Sequence, residues 1–298
     1  MGITTSINDR LINASQDGNI GIVRELLRKK ANIEAIAKND NNNTPLLMAS
    51  KHGHRNIVQD LISKRANIEA KNIYNSTPLI LASSNGHSDI VSDLILYGAI
   101  IDSKTTDCNT AFMMASWKGH LNIALELLSK NANIETKNRL GDTPLIMASW
   151  NGHINVVREL LQRNANIEAL NNKYETPLMC ASFNGRIDVV RELLQHGANI
   201  NVMNVQGEKA YDIARTNKHN NIAQLLRYQH TPVDIVICED DVKYKQNVIE
   251  RIACSICKTN ERKIVFDCGH LTCFKCSEQI VECPECKNKI TNKLVIFF

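Results

Sequence analysis

The sequence lacks long hydrophobic runs. No window approaches the roughly 18 apolar residues that cross a bilayer, and the opening MGITTSINDR has none of the apolar stretch of a secretory signal. MGITTS does fit the short N-myristoylation pattern at Gly2, but this pattern often matches by chance and a single acyl chain anchors only weakly. We therefore expect a cytoplasmic chain without stable membrane association, and a nuclear location stays open.

The sequence also lacks a concentration of charge of either sign. Its 35 Lys and Arg residues are interspersed with 31 Asp and Glu residues, and the net charge is only +4. A nucleic-acid-binding surface needs a basic patch or stripe. The composition therefore indicates no nucleic-acid partner.

Cysteine is scarce outside one short segment. Seven of the ten cysteines lie between Cys254 and Cys286, and the other three, Cys108, Cys180 and Cys238, are isolated. In a reducing compartment a cysteine cluster indicates metal binding or catalysis before disulfides. We interpret the three isolated cysteines as small apolar residues or unreactive thiols.

What the sequence does contain is a repeat of 33 residues. Three columns keep this period: Thr44, Thr77, Thr110, Thr143 and Thr176; Ala49, Ala82, Ala115, Ala148, Ala181 and Ala214; and Gly53, Gly86, Gly119, Gly152 and Gly185. An earlier copy aligns once two extra residues are allowed in the 36–43 connection. We therefore predict about seven units over residues 5–230, a linker with a short helix at 231–253, and a C-terminal domain at 254–298.

Each unit is predicted to form two helices joined by a turn and followed by a hairpin loop. In the fifth unit Thr143 suits the N-cap, Pro144 the first helical position and Gly152 the helix end. The second helix carries one apolar face, formed by Val156, Val157, Leu160 and Leu161. Second helices end at residues that tolerate a left-handed backbone, which are Gly98, Asn131, Asn164 and Gly197. The predicted fold is a mainly α solenoid, since one unit cannot bury its apolar face alone.

The units resemble the ankyrin repeat, whose pattern is close to TPLHxA, then GH, then LLxxGAxxN. The resemblance covers about three-quarters of the chain. It departs from the pattern where apolar residues replace the histidine of TPLH, at Leu47, Ile80, Met113, Ile146 and Met179. The last unit, EKAYDIARTNKHN, has Lys209 and Ala210 in place of the Thr and Pro that begin the pattern, which is typical of a capping repeat.

The ankyrin resemblance also implies a protein-binding groove. The position two residues before GH faces this groove in the family, and here it holds Trp117, Trp150 and Phe183 in consecutive units. Because aromatic side chains dominate binding energies, we predict that these three bind a protein substrate. The alternative is that the rings only pack against neighbouring repeats. The loop-tip residues Tyr74, Arg139, Tyr174 and Gln206 are weaker candidates.

The C-terminal segment contains eight candidate metal ligands. They are Cys254, Cys257, Cys268, His270, Cys273, Cys276, Cys283 and Cys286. Four closely spaced pairs of this kind supply two tetrahedral zinc sites. About 33 residues cannot form a sufficient apolar core, so we expect zinc binding to provide most of the folding free energy. An iron–sulfur cluster or a redox dithiol is the alternative, but neither uses eight ligands in this order.

The order of these ligands resembles the C3HC4 RING finger. That resemblance implies one zinc held by Cys254, Cys257, Cys273 and Cys276 and a second held by Cys268, His270, Cys283 and Cys286. It also implies that Ile256, Ile280 and Pro284 contact a ubiquitin-charged E2 enzyme. Lys287 stands where the family often has an arginine that bridges E2 and ubiquitin, and lysine lacks the bidentate fork.

The closing segment KLVIFF makes this finger similar to the RINGs of inhibitor-of-apoptosis proteins. In those relatives the RING forms a dimer and the terminal apolar strand contacts the E2–ubiquitin held by the partner subunit. The similarity implies a homodimer in which Phe297 and Phe298 activate transfer, and an exposed apolar tail would otherwise be costly. The alternative is that the tail folds back on its own domain or on the repeats.

Together the two modules predict a RING-type E3 ubiquitin ligase that docks substrates on its repeats and recruits a charged E2. Such a ligase has no catalytic residue of its own, because it positions a loaded partner for attack. Two alternatives stay open. The chain is a non-catalytic adaptor whose zinc domain only dimerises or caps the repeats, or it captures a ligase pathway by binding without ubiquitin transfer.

Overall fold

The computed structural model describes residues 6–36, 41–229, 263–266, 271–273 and 293–296, with side chains described for 6–36 and 41–227. The chain divides into two compact units, Met1–Leu226 and Arg227–Phe298. In the described part, none of the helices is both long and apolar enough to cross a bilayer. Gly2, Cys238 and the predicted linker helix lie outside the described residues.

The repeats consist of helices in seven consecutive pairs. They are α1 (Ile7–Gln16), α2 (Ile20–Arg28), α3 (Pro45–His52), α4 (Arg55–Ser63), α5 (Pro78–Asn85), α6 (Ser88–Leu96), α7 (Ala111–Lys118), α8 (Leu121–Ser129), α9 (Pro144–Asn151), α10 (Ile154–Gln162), α11 (Pro177–Phe183), α12 (Ile187–Gln195), α13 (Ala210–Thr216) and α14 (Asn220–Gln229). First helices of neighbouring pairs pack along one another, from α1 against α3 to α11 against α13. This arrangement confirms the predicted helical solenoid.

The helix ends follow the predicted caps. The Thr143 hydroxyl accepts a hydrogen bond of 3.3 Å from the backbone N–H of Ile146, and Pro144 is the first residue of α9. Threonine caps α3, α5, α7 and α11 in the same way. Gly152 ends α9 with φ of 84°, and the four predicted exits at Gly98, Asn131, Asn164 and Gly197 all have φ between 59° and 88°. These ends are therefore set by local chemistry.

One continuous apolar core runs through the stack. The predicted face of α10 is buried, and Leu161 is its most exposed member at 8%. The apolar residues that replace the family's histidine are also buried, each with at most 2% exposed: Leu47, Ile80, Met113, Ile146 and Met179. Where the family pattern has a histidine, this chain therefore has apolar packing.

Histidines tie four of the units to the unit before them. The ring Nε2 atoms of His54, His87, His153 and His219 lie 2.7 to 3.0 Å from backbone carbonyls 36 or 38 residues earlier. These histidine rings also explain why glycine recurs with the 33-residue period. A Cβ added at Gly53 would lie 2.7 Å from the His87 ring, and the φ of 84° at Gly53 already disfavours other residues. Glycine and histidine therefore fix the spacing between units as a pair.

The second unit contains a three-stranded sheet among its described residues. Its strands are β1 (Lys263–Phe266), β2 (Leu271–Cys273) and β3 (Lys293–Ile296), in the order β2-β1-β3 with both neighbours antiparallel. Ile264 of β1 faces Thr272 of β2 and Val295 of β3. The closing segment thus folds back on its own unit over Lys293–Ile296. This agrees with the alternative that the tail folds back on its own domain, and the predicted homodimer stays a prediction.

The physical reason for the fold-back of Lys293–Ile296 is backbone pairing. A short apolar segment left free exposes both its side chains and its backbone groups, whereas pairing with β1 satisfies its N–H and C=O groups. Phe297 and Phe298 lie outside the described residues, and their role in a dimer stays a prediction.

A column of buried serines was not foreseen from the sequence. The hydroxyls of Ser50, Ser83, Ser149 and Ser182 are buried and have no hydrogen-bond partner among the described residues. The equally buried Ser116 hydroxyl donates to the Phe112 carbonyl at 2.9 Å. A buried hydroxyl without a partner carries an uncompensated desolvation cost.

This difference predicts opposite effects for two identical substitutions. Ser83→Ala removes an unpaired hydroxyl and is expected to leave the free energy of unfolding unchanged or raise it by up to about 1 kcal/mol. Ser116→Ala removes a made hydrogen bond and is expected to lower it by about 1 kcal/mol. Urea denaturation followed by circular dichroism measures both. Equal losses in the two variants would contradict the prediction.

A second prediction concerns His153. Burial lowers the pKa of His153 below its ordinary value of 6.5, against the opposing hydrogen bond to the Trp117 carbonyl, and the nearby Arg186 cation lowers it further. The folded chain therefore prefers the neutral ring. The stability that this ring contributes is fully present above the unfolded pKa and is lost as pH falls from there through the lower folded pKa. His153→Gln keeps an amide donor, so its melting temperature is expected to fall less than the parent's from about pH 7 to about pH 5. Identical slopes in the two proteins would rule this out.

Candidate functional site

The three predicted groove aromatics lie at the ends of consecutive first helices. Trp117 is near the end of α7, Trp150 near the end of α9 and Phe183 at the end of α11. Their exposed fractions are 41%, 39% and 42%, which is high for large apolar side chains. The rings of Trp150 and Phe183 stack with centroids 5.2 Å apart and planes 18° apart. The rings thus pack on one another and still present surface to solvent.

The backbone at each aromatic is held by the following unit. The carbonyl of Trp117 lies 2.7 Å from His153 Nε2, and that of Phe183 lies 3.0 Å from His219 Nε2. At Trp150 the following unit has Arg186 in place of histidine, and its Nε donates to the carbonyl at 3.2 Å. Each aromatic therefore projects from a fixed point, which reduces the entropy lost on binding.

A cavity of about 360 Å³ opens beside the two tryptophans. Its apolar wall comprises Trp117, Leu140, Ile146, Met147 and Trp150, and its polar rim comprises Asp142, Asn151, Asn171, Asn172, Lys173 and Glu175. The wall comes mainly from α7 and α9, and most of the rim comes from the loops at 138–142 and 171–175. An apolar pocket with a few polar groups is the usual form of a binding site.

One asparagine organises the rim. The Asn171 Oδ1 accepts hydrogen bonds from the backbone N–H groups of Lys173 and Glu175 at 2.9 and 3.0 Å. The Asn171 Nδ2 donates to Glu175 Oε2 at 2.9 Å and to Asp142 Oδ1 at 3.1 Å. The same amide therefore shapes its own loop and draws two carboxylates from neighbouring loops to one point.

The weaker loop-tip candidates divide into two kinds. Tyr74 and Tyr174 are 51% and 57% exposed and are available to a partner. Gln206 is exposed as well, whereas the Arg139 guanidinium donates to the Thr106 carbonyl at 2.8 Å. Arg139 is thus engaged in holding adjacent loops together.

The isolated cysteines in the repeats are free thiols. Cys180 is buried, and burial raises the pKa of its thiol well above the ordinary value. A protonated, buried thiol is a poor nucleophile. This confirms the interpretation of Cys180 as a small apolar residue.

The predicted metal ligands belong to the second unit. Cys273 is the last residue of β2 and faces Lys263 of β1, and the other seven ligands lie outside the described residues. The E2-contact candidates Ile256, Ile280, Pro284 and Lys287 also lie outside them. The donor set of seven thiols and one imidazole fits zinc, which binds sulfur and nitrogen in tetrahedral sites.

Comparison with protein families places both modules. Residues 8–72, 79–171 and 164–237 match the family model of ankyrin repeats in three copies. The chain belongs to the ankyrin-repeat family. Residues 250–293 match the model of the C3HC4-type zinc finger, the RING finger, so this ankyrin-repeat chain also carries a zinc-binding RING finger.

Over short stretches, this ankyrin-repeat and RING chain is similar to curated proteins named as E3 ubiquitin-protein ligases. The E3 ubiquitin-protein ligase RGLG4 of Arabidopsis thaliana is 44% identical over 45 residues, which are 15% of this chain and 11% of the relative. The E3 ubiquitin-protein ligase MIB2 of Gallus gallus is 42% identical over 55 residues, which are 18% of this chain and 6% of the relative. The chain thus aligns with about a tenth or less of the length of these relatives.

A solved structure supports the repeat fold. The human ASB11 ankyrin repeat domain superposes with a TM-score of 0.67 and 25% identity, covering 74% of this chain and 98% of that domain. This likeness concerns the solenoid.

Proposed function

We propose that the chain is a RING-type E3 ubiquitin ligase with a substrate-docking groove on its ankyrin repeats. In this proposal the solenoid occupies 5–230, the linker 231–253 and the RING finger 254–298. The observation that carries it is the RING match at 250–293 beside the ankyrin match, together with short alignments to proteins named as E3 ubiquitin-protein ligases. Because the zinc ligands must stay reduced, we propose the cytoplasm as the compartment.

The proposed metal content is two zinc ions. The first is held by Cys254, Cys257, Cys273 and Cys276, and the second by Cys268, His270, Cys283 and Cys286. Zinc supplies folding free energy to a segment too short for an apolar core of its own. The thiolates and the imidazole therefore hold the finger in the shape that a partner recognises.

The finger is proposed to act by positioning. Ile256, Ile280 and Pro284 form the apolar contact for a ubiquitin-charged E2, with Lys287 beside it. The amine of a substrate lysine attacks the thioester carbonyl, the bond to the E2 cysteine breaks, and that thiolate leaves. Restricting the loaded E2 to a reactive geometry accelerates this step without a nucleophile from the chain. In a homodimer, Phe297 and Phe298 contact the E2–ubiquitin of the partner subunit.

The groove is proposed to select the substrate. Its support is the exposure of Trp117, Trp150 and Phe183 and the adjoining cavity with an apolar wall. Aromatic residues with fixed backbones are typical binding hot spots. Docking there raises the local concentration of substrate lysines near the charged E2.

Ligase activity is tested by autoubiquitination with E1, a panel of E2 enzymes and ubiquitin. The parent chain is expected to form conjugates, Ile256→Ala to lose them through weaker E2 binding, and His270→Ala to lose them through loss of one zinc. Ile73→Ala is the matched control, because this isoleucine is 51% exposed on a repeat loop and should leave conjugation unchanged.

Metal analysis accompanies the assay. The pure parent chain is expected to hold two equivalents of zinc, and His270→Ala to hold less. Fewer than two equivalents in the parent, or no conjugates with any E2, would contradict the ligase proposal and favour the non-catalytic adaptor.

The docking role is tested by comparing captured proteins between variants. Proteins retained by the parent chain are expected to be lost from Trp117→Ala/Trp150→Ala, since truncating a hot-spot aromatic costs about 2 kcal/mol or more. Tyr97→Ala is the control, because Tyr97 is 50% exposed and follows α6, a second helix, whereas the groove aromatics lie on first helices. Equal retention by all three proteins would refute docking at the tryptophans.

A further inference from the structure

We propose that the cavity beside Trp117 and Trp150 receives an arginine side chain of the docked protein. This inference rests on the proposed docking role of the groove and names the chemistry that the groove selects. It assigns the site to a planar cation held by aromatic rings and carboxylates.

The first argument is the composition of the wall. Both tryptophans of the chain line this one cavity, and Leu140, Ile146 and Met147 complete its apolar surface. Phe183 stacks on Trp150 but is not part of the lining, so it supports that ring from outside the cavity. Indole rings are the best aromatic partners for a cation.

The second argument is the charge of the rim. Asp142 and Glu175 place two carboxylates there against one ammonium group, that of Lys173, so the charged groups of the lining sum to a negative value. Asn171 donates one hydrogen bond to each carboxylate and holds both near one point. A pocket built in this way is complementary to a cation.

The third argument is that these carboxylates carry no ion pair within the described side chains, at 6–36 and 41–227. Partly buried acids on the second helices do carry one. Arg55 Nε lies 2.8 Å from Asp93, and Arg158 Nε lies 2.8 Å from Glu192. Asp142 and Glu175 instead accept from amides, both from Asn171 and Asp142 also from Asn138 at 3.5 Å, so no cation among the described side chains pairs with them.

Arginine fits this combination better than other side chains. Its guanidinium is flat enough to stack on an indole and presents several N–H donors, so it can bond two carboxylates at once. A purely apolar side chain would desolvate Asp142 and Glu175 without replacing the hydrogen bonds that they lose. Lysine offers a point charge and stacks less well.

The site contains its own optical reporter. Because Trp117 and Trp150 are the only tryptophans, the intrinsic tryptophan emission of the full zinc-loaded chain reports on this cavity alone. The probe is the peptide acetyl-Gly-Ala-Arg-Ala-Gly-amide, compared with its citrulline counterpart, which keeps the shape and loses the charge. The arginine peptide is expected to change the emission saturably, with an affinity about tenfold higher than that of the citrulline peptide.

A matched pair of variants isolates the carboxylate. Glu175→Gln keeps the side-chain oxygen that accepts from Asn171 and removes the charge. Glu208→Gln makes the same change one repeat later, where Glu208 accepts from Asn204 at 3.1 Å but lies outside the lining. Glu175→Gln is expected to weaken the arginine peptide about tenfold, and Glu208→Gln to leave its affinity unchanged.

Three outcomes would overturn the inference: no saturable change with the arginine peptide, equal affinity for the citrulline peptide, or equal affinities in the two glutamate variants. A lysine peptide that binds more tightly than the arginine peptide would overturn the choice of a planar cation. Autoubiquitination of the same preparations keeps the proposals apart, because it needs no occupant in the cavity. Intact conjugation without peptide discrimination contradicts this inference alone, whereas discrimination without conjugation contradicts the ligase proposal alone.

Discussion

The stacking of each unit on the next is the constraint on which the repeat structure depends. A helix pair of about 33 residues buries too little apolar surface to be stable alone, so the core exists only between units. The glycine and histidine pair sets the separation, since the His87 ring occupies the space that a Cβ at Gly53 would need. Every side chain at one repeat position therefore recurs at one spacing along the stack. The aromatic groove is a direct result of this regularity.

The later units differ from the earlier ones at two repeat positions. The residue before the capping threonine position is Asn43, Ser76 or Asn109 in the earlier units and Asp142, Glu175 or Glu208 in the later ones. The aromatic position changes in the same direction, from Lys51 and Ser84 to Trp117, Trp150 and Phe183. The backbone is shared by all units, so only side-chain chemistry distinguishes them. Carboxylates and aromatic rings thus occur together in the later units, and the cavity lies among these units.

Features determined within one unit could be predicted from the sequence, and features that join units could not. The Thr143 cap, the Gly152 helix end and the left-handed Asn131 each depend on a few neighbouring residues, and all were predicted correctly. The cavity joins two first helices to two loops, so Leu140 and Asn171 gave no signal until the stack brought them together. The sequence offered one clue to the cavity, because the later units carry both an acidic residue before the capping threonine position and an aromatic residue near the end of the first helix. The unpaired Ser83 hydroxyl and the pairing of Val295 with Ile264 likewise depend on packing that no short pattern encodes.

The two modules obtain their stability from different sources. The repeats depend on apolar burial shared by many units, so changing one exposed groove residue alters binding more than folding. The finger depends on metal ligation, so a single lost ligand removes a large part of its folding free energy. In the proposed ligase, substrate choice therefore changes by substitution at exposed groove positions while the RING finger stays the same. A solenoid joined to a zinc finger suits a ligase because the part that must vary between targets tolerates variation, and the part that must fit a common partner does not.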